Sequence, residues 1–521
     1  MNSPFGNLNN KPMYSLENPA QPQLVEELDP SSNFQDAFDA QILKKATSVA
    51  IEKLKDNISN SNPRGLKLLS PDKLMTLVEA FAKRNSTSSA LLDTQLLEEI
   101  IDLYTATGIP VYSTGYMGRQ FSGVIPITGL TDLLTSMMSQ PSSFYESAQL
   151  PSMVEKVIAK EFGDLLGWKH GTYDMVTTSG GSLANITAIL TARNSKIPDF
   201  TNFKIKRKTI PAIAVSADVH YSIKRAVGIL GIGENQIIPL PINDKGQICM
   251  SQAENTLLEA ENNGYHVFCL VATAGTTVVG AIDPLEELTA LCKQKDYWFH
   301  IDGAHGGSFL VSDTLRSRLK GIELADSFAL DAHKTMFLPA SCTLLFYKDI
   351  ASPKKTFYKE ASYIFENESN NFDGGEKSFE CTKRPMIMNL WIPWVLYGKE
   401  IFAQKLEALC NIAMQAYNEL TIASDFECLH QPQTNILCFR YQSEDAQYME
   451  GFDFQIAIRN KIKEEGKFFI SKVEVQGKTA LRVVFMNHEI NIEHFRSLLD
   501  EIRSIGQKIA SNNNIEQAIT I

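Results

Sequence analysis

Five short apolar runs constrain this chain more than any other feature. Residues 210–215, 267–272, 298–301, 327–330 and 343–347 are each four to six residues long, mostly apolar, and separated by helical stretches. A strand with one wet face alternates apolar and polar residues. A run that is apolar throughout is buried on both faces, which is the signature of a largely parallel sheet covered by helices. The pattern predicts an α/β layered architecture. Around it, residues 1–40 are rich in Asn, Pro, Ser and Gln and read as an arm, whereas 41–108 carry helical periodicity. Residues 152–166 form an amphipathic helical pattern. Beyond about residue 397, helical patterns return, followed by Asn435-Ile-Leu-Cys-Phe-Arg-Tyr, Ala480-Leu-Arg-Val-Val-Phe and a last helix over roughly 491–508. The expected organisation is an arm with a helical segment (1–108), a large domain (109–396) and a small α+β domain (397–521), without internal repeats.

Composition removes several function classes. With 49 Lys+Arg against 60 Asp+Glu, the net charge of −11 opposes nucleic acid as a general partner. No apolar run reaches the ~20 residues of a membrane span, and the start shows no signal-peptide pattern. The eight cysteines come no closer than ten residues apart, so a zinc ribbon is excluded and reduced thiols in a cytoplasmic protein are expected. The nine histidines contain no H-E-x-x-H pair, and His300 and His305, flanking Asp302, are poorly spaced for a metal; none is expected.

Ligands of open α/β sheets bind beyond the carboxyl ends of the strands, so the residues that follow each run matter. They are Ser216-Ala-Asp-Val-His220, Thr273-Ala-Gly-Thr-Thr, Asp302-Gly-Ala-His-Gly-Gly and Asp331-Ala-His-Lys-Thr. Hydroxyls, carboxylates, histidines and a lysine converge on one rim. Lys334 sits in an apolar stretch that should bury it; burial favours the neutral amine, which can attack a carbonyl. His333 beside it could reach a phosphate oxygen. Asp302 is either a cap or loop charge or the partner of a protonated ring nitrogen, and Ala304 is small enough to lie against a flat ring. Thr178-Ser-Gly-Gly-Ser-Leu-Ala-Asn opens an apolar helix with free N–H groups, which is an ordinary N-cap or a phosphate seat. His220 starts a helix and is either its cap or a stacking imidazole.

In this order, phosphate seat, stacking His, Asp-x-Ala and His-Lys, the chain resembles the group II pyridoxal-phosphate decarboxylases over roughly residues 110–500. The glutamate, cysteine-sulfinate and 2,4-diaminobutyrate branches are the most similar. The run Val271-Ala-Thr-Ala-Gly-Thr-Thr-Val-Val-Gly-Ala-Ile-Asp-Pro, Ala361-Ser-Tyr-Ile-Phe and Phe379-Glu-Cys-Thr-Lys-Arg are similar to glutamate-type segments, and Asp331-Ala-His-Lys with Pro339-Ala-Ser-Cys to the diaminobutyrate branch. The resemblance implies the type I fold of pyridoxal-phosphate enzymes, with a mostly parallel seven-stranded sheet, and α-decarboxylation of an L-amino acid. It implies that Lys334 holds pyridoxal phosphate as a Schiff base, that Asp302 pairs with the pyridinium with Thr273 in support, and that Ala304 and His220 sandwich the ring. Gly181, Ser182 and His333 would hold the phosphate, and Tyr363 would protonate the substrate carbon. The polar stretch 366–377 would form a lid. The family is dimeric, with this loop reaching the neighbouring active site.

Two departures touch the substrate. Lys383, followed by Arg384, stands where the glutamate-type pattern has Arg, and an ammonium cannot make the bidentate clamp of a guanidinium. Gln120 keeps its place but Arg119 and the preceding Thr114-Gly-Tyr-Met-Gly do not follow the usual lead. Gln120, Arg119, Lys383 and Arg384 are the expected substrate-binding residues. The expected substrate is a small polar or acidic amino acid (glutamate, aspartate or cysteine sulfinate), with 2,4-diaminobutyrate next. Aromatic amino acids stand further off, as does aldehyde formation, whose enzymes typically carry Phe in place of Tyr363. A cofactor-fold protein without catalysis would usually lack Lys334.

Overall fold

The computed structural model describes residues 39–58, 66, 68–83, 92–200, 208–358, 372–443 and 453–519. The chain divides into two compact units, one of residues up to Asp56 with Ser70–Gly108, the other of Asn57–Leu69 with Ile109–Ile521. The first holds most of helix Ala40–Ile58 and helices Pro71–Ala82 and Thr94–Thr107, the last two capped by the side chains of Ser70 and Asp93.

The second unit is built on two sheets. The larger contains β1 (Asp174–Thr178), β2 (Ile210–Ser216), β3 (Ile237–Leu240), β4 (Tyr265–Thr273), β5 (Trp298–Asp302), β6 (Ser327–Asp331) and β7 (Thr343–Tyr347), in the order β1-β7-β6-β5-β4-β2-β3. Only β7 runs against its neighbours, β1 and β6; the other pairings are parallel. Alternate residues go to opposite faces. Ala212, Ala214, Leu270 and Ala272 join a core with helices Gln149–Leu166 and Leu285–Lys295, while Ile213, Val215, Cys269 and Val271 join one with helices Gly181–Lys196 and Tyr221–Ile229. This is why the inner strands read as unbroken apolar runs. The type I α/β fold expected from the sequence is therefore present.

The smaller antiparallel sheet comprises β8 (Phe426–Cys428), β9 (Ile436–Tyr441), β10 (Ser471–Val475) and β11 (Lys478–Val484), in the order β10-β11-β9-β8. Its own core draws on Leu437, Phe439, Leu481 and Val483 and on helices Phe454–Glu465 and Ile492–Ile519. No helix among the described residues is long and apolar enough to cross a membrane.

Candidate active site

Strands β1, β2, β4, β5 and β6 point the same way, so Thr178, Ser216, Thr273, Asp302 and Asp331 end on one edge of the sheet. Antiparallel β7 brings its first residue, Thr343, between Thr178 and Asp331. A cavity of about 480 Å³ opens there. Gly181, Ser182, His220, Thr273, Asp302, Ala304, His333 and Lys334 all line it, as do Arg119 and Gln120.

Lys334 lies in a single turn, Ala332–Thr335, directly after β6. Its Nζ is 3.0 Å from Asp331 Oδ2 and its side chain is 21% exposed. The apolar burial expected for this amine is thus replaced by an ion pair. The chain turns as β6 ends, and Lys334 leaves the apolar layer for the cavity edge. Asp331 also accepts from Thr343 Oγ1 at 2.5 Å. A Cβ on Gly181 would stand 2.9 Å from the same carboxylate, so only glycine lets the helix start approach this closely. The N–H groups of Gly181 and Ser182 belong to the first turn of helix Gly181–Lys196 and have no intrahelical acceptor. His333 Nδ1 accepts from the Cys342 N–H at 3.2 Å, while its Nε2 lies 3.7 Å from Asp331.

Asp302 accepts from the Ala304 N–H at 3.1 Å and from Asn185 Nδ2 at 2.8 Å. Asn185, on the buried face of its helix, also donates to Ser222 Oγ at 3.1 Å and meets His300 Nε2 at 3.1 Å. His220 caps helix Tyr221–Ile229, its Nδ1 accepting from the Ser222 N–H, and it also lines the cavity. Burial pulls the His220 imidazole below its ordinary range and takes His300 down to about 4 and His305 to about 3.

Four buried side-chain atoms on this cavity have no hydrogen-bond partner among the described residues: Gln120 Nε2, Thr273 Oγ1, His305 Nδ1 and Arg482 Nε. Buried polar groups normally find partners, so such a cluster marks a place for a polar ligand. Arg482, in the middle of β11, donates to the carbonyls of Thr277 at 2.5 Å and Gly118 at 3.5 Å. No carboxylate among the described residues pairs with it, and burial draws its guanidinium below the usual range.

A family profile, the pyridoxal-dependent decarboxylase conserved domain, matches residues 72–442. The chain belongs to the pyridoxal-dependent decarboxylase family. It is 27% identical over 478 residues to the acidic amino acid decarboxylase GADL1 of Mus musculus, covering 89% of this chain and 86% of that protein. It is 28% identical over 459 residues to human cysteine sulfinic acid decarboxylase, covering 84% and 90% respectively. The crystal structure of mouse CSAD has the same fold, with a TM-score of 0.81 at 24% identity over 89% of this chain and 98% of that one.

As a pyridoxal-dependent decarboxylase the protein is a carboxy-lyase that uses pyridoxal phosphate on an amino acid. The cavity fits that group. Free helix N–H groups suit a phosphate, the Asp302 carboxylate suits a cationic ring nitrogen, Lys334 offers a primary amine, and Thr273 Oγ1 has a hydrogen bond to give.

Two of the four expected substrate residues do not reach the decarboxylase cavity. Lys383 is fully buried elsewhere, its Nζ 2.9 Å from Glu155 Oε1 and 3.3 Å from the Thr177 carbonyl. Arg384 is exposed and turns to Asp132, Thr135 and Ser136. Tyr363 and residues 366–371 lie outside the described residues. The remainder of the expected lid is anchored: Gly374, Glu376 and Lys377 are buried, with Lys377 Nζ 2.9 Å from Asp174 and Glu376 2.9 Å from Lys354. The sequence reading passed over Asn185 and Arg482. A charge in an apolar strand is the signal for Arg482, whereas Asn185 shares its buried helix face with Thr187, Thr191 and Arg193 and does not stand out.

Proposed function

We propose that the enzyme removes the α-carboxylate of a small acidic L-amino acid of the glutamate, aspartate or cysteine-sulfinate kind. One observation carries this: the unpaired guanidinium of Arg482 inside the cavity, with Arg119 at its rim and no carboxylate among the described residues pairing with either. Arg482 would take one anionic group of the substrate and Arg119 the other. The names of the relatives, an acidic amino acid decarboxylase and a cysteine sulfinic acid decarboxylase, support the same substrate class.

When bound, pyridoxal phosphate supplies an electron sink for the bond that breaks. Lys334 would hold it and exchange with the substrate amine. Asp302 would keep a proton at the ring nitrogen, supported by Thr273. His220 and Ala304 would flank the ring, and Gly181, Ser182 and His333 would seat the phosphate. Gln120 would donate its free N–H to the substrate, and Tyr363 would return the proton to carbon.

A homodimer with shared active sites belongs to the same reading. Helices Ile127–Met138 and Ile387–Tyr397, joined by Asn389 Nδ2 donating to Asp132 at 3.0 Å, expose Leu130, Leu134, Met137, Met138, Val395 and Leu396. Such a face is suited to a second copy; sedimentation would read it. The eight free cysteines fit a reducing, cytoplasmic location, which fractionation would check.

The test is carbon dioxide release with added pyridoxal phosphate from glutamate, aspartate, cysteine sulfinate, 2,4-diaminobutyrate, tyrosine and tryptophan, with Lys334→Ala as the blank. An acidic amino acid should be turned over fastest. A clear preference for tyrosine, tryptophan or diaminobutyrate would overturn the substrate assignment.

A further inference from the structure

A chain of buried side chains runs from the sheet interior to the Asp302 carboxylate, and its direction can be worked out. Trp298 Nε1 is 2.9 Å from Ser327 Oγ, Ser327 Oγ is 2.9 Å from His300 Nδ1, and His300 Nε2 is 3.1 Å from Asn185 Oδ1. Asn185 Nδ2 then reaches Asp302 Oδ2 at 2.8 Å and Ser222 Oγ at 3.1 Å, and Ser222 Oγ is 2.9 Å from His220 Nδ1. All of these side chains except His220 are buried.

The direction follows from the two ends. An indole can only donate, so Ser327 Oγ accepts from Trp298, and its own proton is free for His300 Nδ1. An ionised carboxylate can only accept, so Asn185 must turn its NH₂ to Asp302 and its oxygen to His300. The Asn185 oxygen puts the His300 proton on Nε2, and the neutral ring then accepts from Ser327 at Nδ1. On the other branch, Ser222 Oγ accepts from Asn185, and its proton points to His220 Nδ1. The Ser222 backbone N–H, 3.3 Å away, donates to that same nitrogen. His220 must therefore be bare at Nδ1 and carry its proton on Nε2.

We propose that Asn185 is the positioning residue of the site: one amide fixes the Asp302 carboxylate and the tautomer of His300, and turns the Ser222 hydroxyl toward His220 Nδ1. This rests on the assignment of Asp302 and His220 to the cofactor. Asn185 acts through them and touches no reacting atom.

The test uses the full chain stripped of cofactor, with ¹⁵N-labelled histidine imidazoles assigned by single substitution. Long-range ¹⁵N–¹H correlations tell a protonated ring nitrogen from a bare one. His220 and His300 should each be neutral with the proton on Nε2. Ser222→Ala should leave both tautomers in place, since the backbone N–H still donates to His220 Nδ1, and shift the Nδ1 resonance through loss of the hydroxyl donor. Asn185→Leu should alter both rings and weaken pyridoxal phosphate binding roughly tenfold to a hundredfold. A proton on His220 Nδ1 in the parent would overturn the proposal. So would an Asn185→Leu variant whose His300 tautomer is unchanged and whose cofactor affinity stays within about twofold of the parent. If Asn185→Leu does not fold, Ser222→Ala still decides the His220 branch. A parent that binds no pyridoxal phosphate would instead break the cofactor reading, which the tautomer result does not depend on.

Discussion

Two groups of buried polar side chains border the large sheet, and they differ in whether they are complete. Alongside β1, Glu155 pairs with Lys383 at 2.9 Å, and Asp174 holds Lys156 at 2.8 Å and Lys377 at 2.9 Å. Against the burial that would raise it, Lys377 and Lys156 hold the Asp174 carboxyl below the ordinary carboxylate range. At the strand ends, by contrast, Arg482, Gln120, Thr273 and His305 keep atoms without partners. Both groups are buried and polar. Between these two groups the difference is unmet hydrogen-bonding capacity, gathered around one cavity. That is why Lys383, expected to read substrate, belongs with the scaffold: its ammonium already has a buried carboxylate.

The largest effect should come from opening the closed group. Lys383→Met leaves Glu155 buried without its counter-ion and should cost about 3–5 kcal/mol in urea unfolding. The double variant with Glu155→Met should recover most of that, because an apolar pair replaces an ion pair. A Lys383→Met protein of parental stability with a raised KM would reverse the partition and return Lys383 to the substrate. In the open group, Arg482→Lys should show the opposite profile. An ammonium cannot fork to two carbonyls and a carboxylate together, so kcat/KM should fall roughly tenfold to a hundredfold, with a smaller loss of stability. If stability falls instead and kcat/KM holds, Arg482 is structural.

Acid should also separate the two groups. The folded pKa values of His300, about 4, and His305, about 3, lie below that of an exposed histidine because burial disfavours the charged ring. Their stabilisation is complete above the unfolded value and is lost as pH falls from there through the folded value. Unfolding free energy should therefore decline between about pH 6.5 and 4, by roughly 2–3 kcal/mol per pH unit for the two rings together. Asp174, also depressed, contributes until pH falls below the ordinary carboxylate range. Denaturant midpoints measured across this range should show the histidine decline first, and a flat profile down to pH 4 would contradict it.

Much of this was legible from local pattern, and the misses have a common cause. The five apolar runs correspond to β2, β4, β5, β6 and β7, the inner strands of the large sheet; the unread strands, β1 and β3, are its two edges. The small sheet repeats this, with β9 and β11 read and the edges β8 and β10 not. Edge strands face fewer neighbours and carry residues such as Pro239, so they lack the continuous apolar signal. The strand-end residues were visible because Thr273, Asp302 and Asp331 directly terminate such runs. What depended on distant partners was not visible. Glu155 and Lys383 lie 228 residues apart, Asn185 and Asp302 117, and no spacing rule joins them. Lys334 was found for its position, yet its surroundings were misjudged because Asp331 was read as a strand end and not as its ion-pair partner.

The smallest effect tests which anion each arginine reads. Arg482 is buried and can serve a group that every amino-acid substrate carries, whereas Arg119 is exposed on the rim and suits a group that varies. An exposed guanidinium acts through water and salt, so its contribution is modest and screened. Arg119→Gln should raise KM for glutamate or cysteine sulfinate about fivefold at low salt and by less at high salt, and leave kcat nearly unchanged. A substrate without a side-chain anion should show no such rise. Arg482→Lys, in contrast, should penalise all substrates alike, since they share the α-carboxylate. If Arg119→Gln penalises all substrates equally and Arg482→Lys discriminates between them, the two roles are exchanged and the variable group is read at the buried end of the cavity.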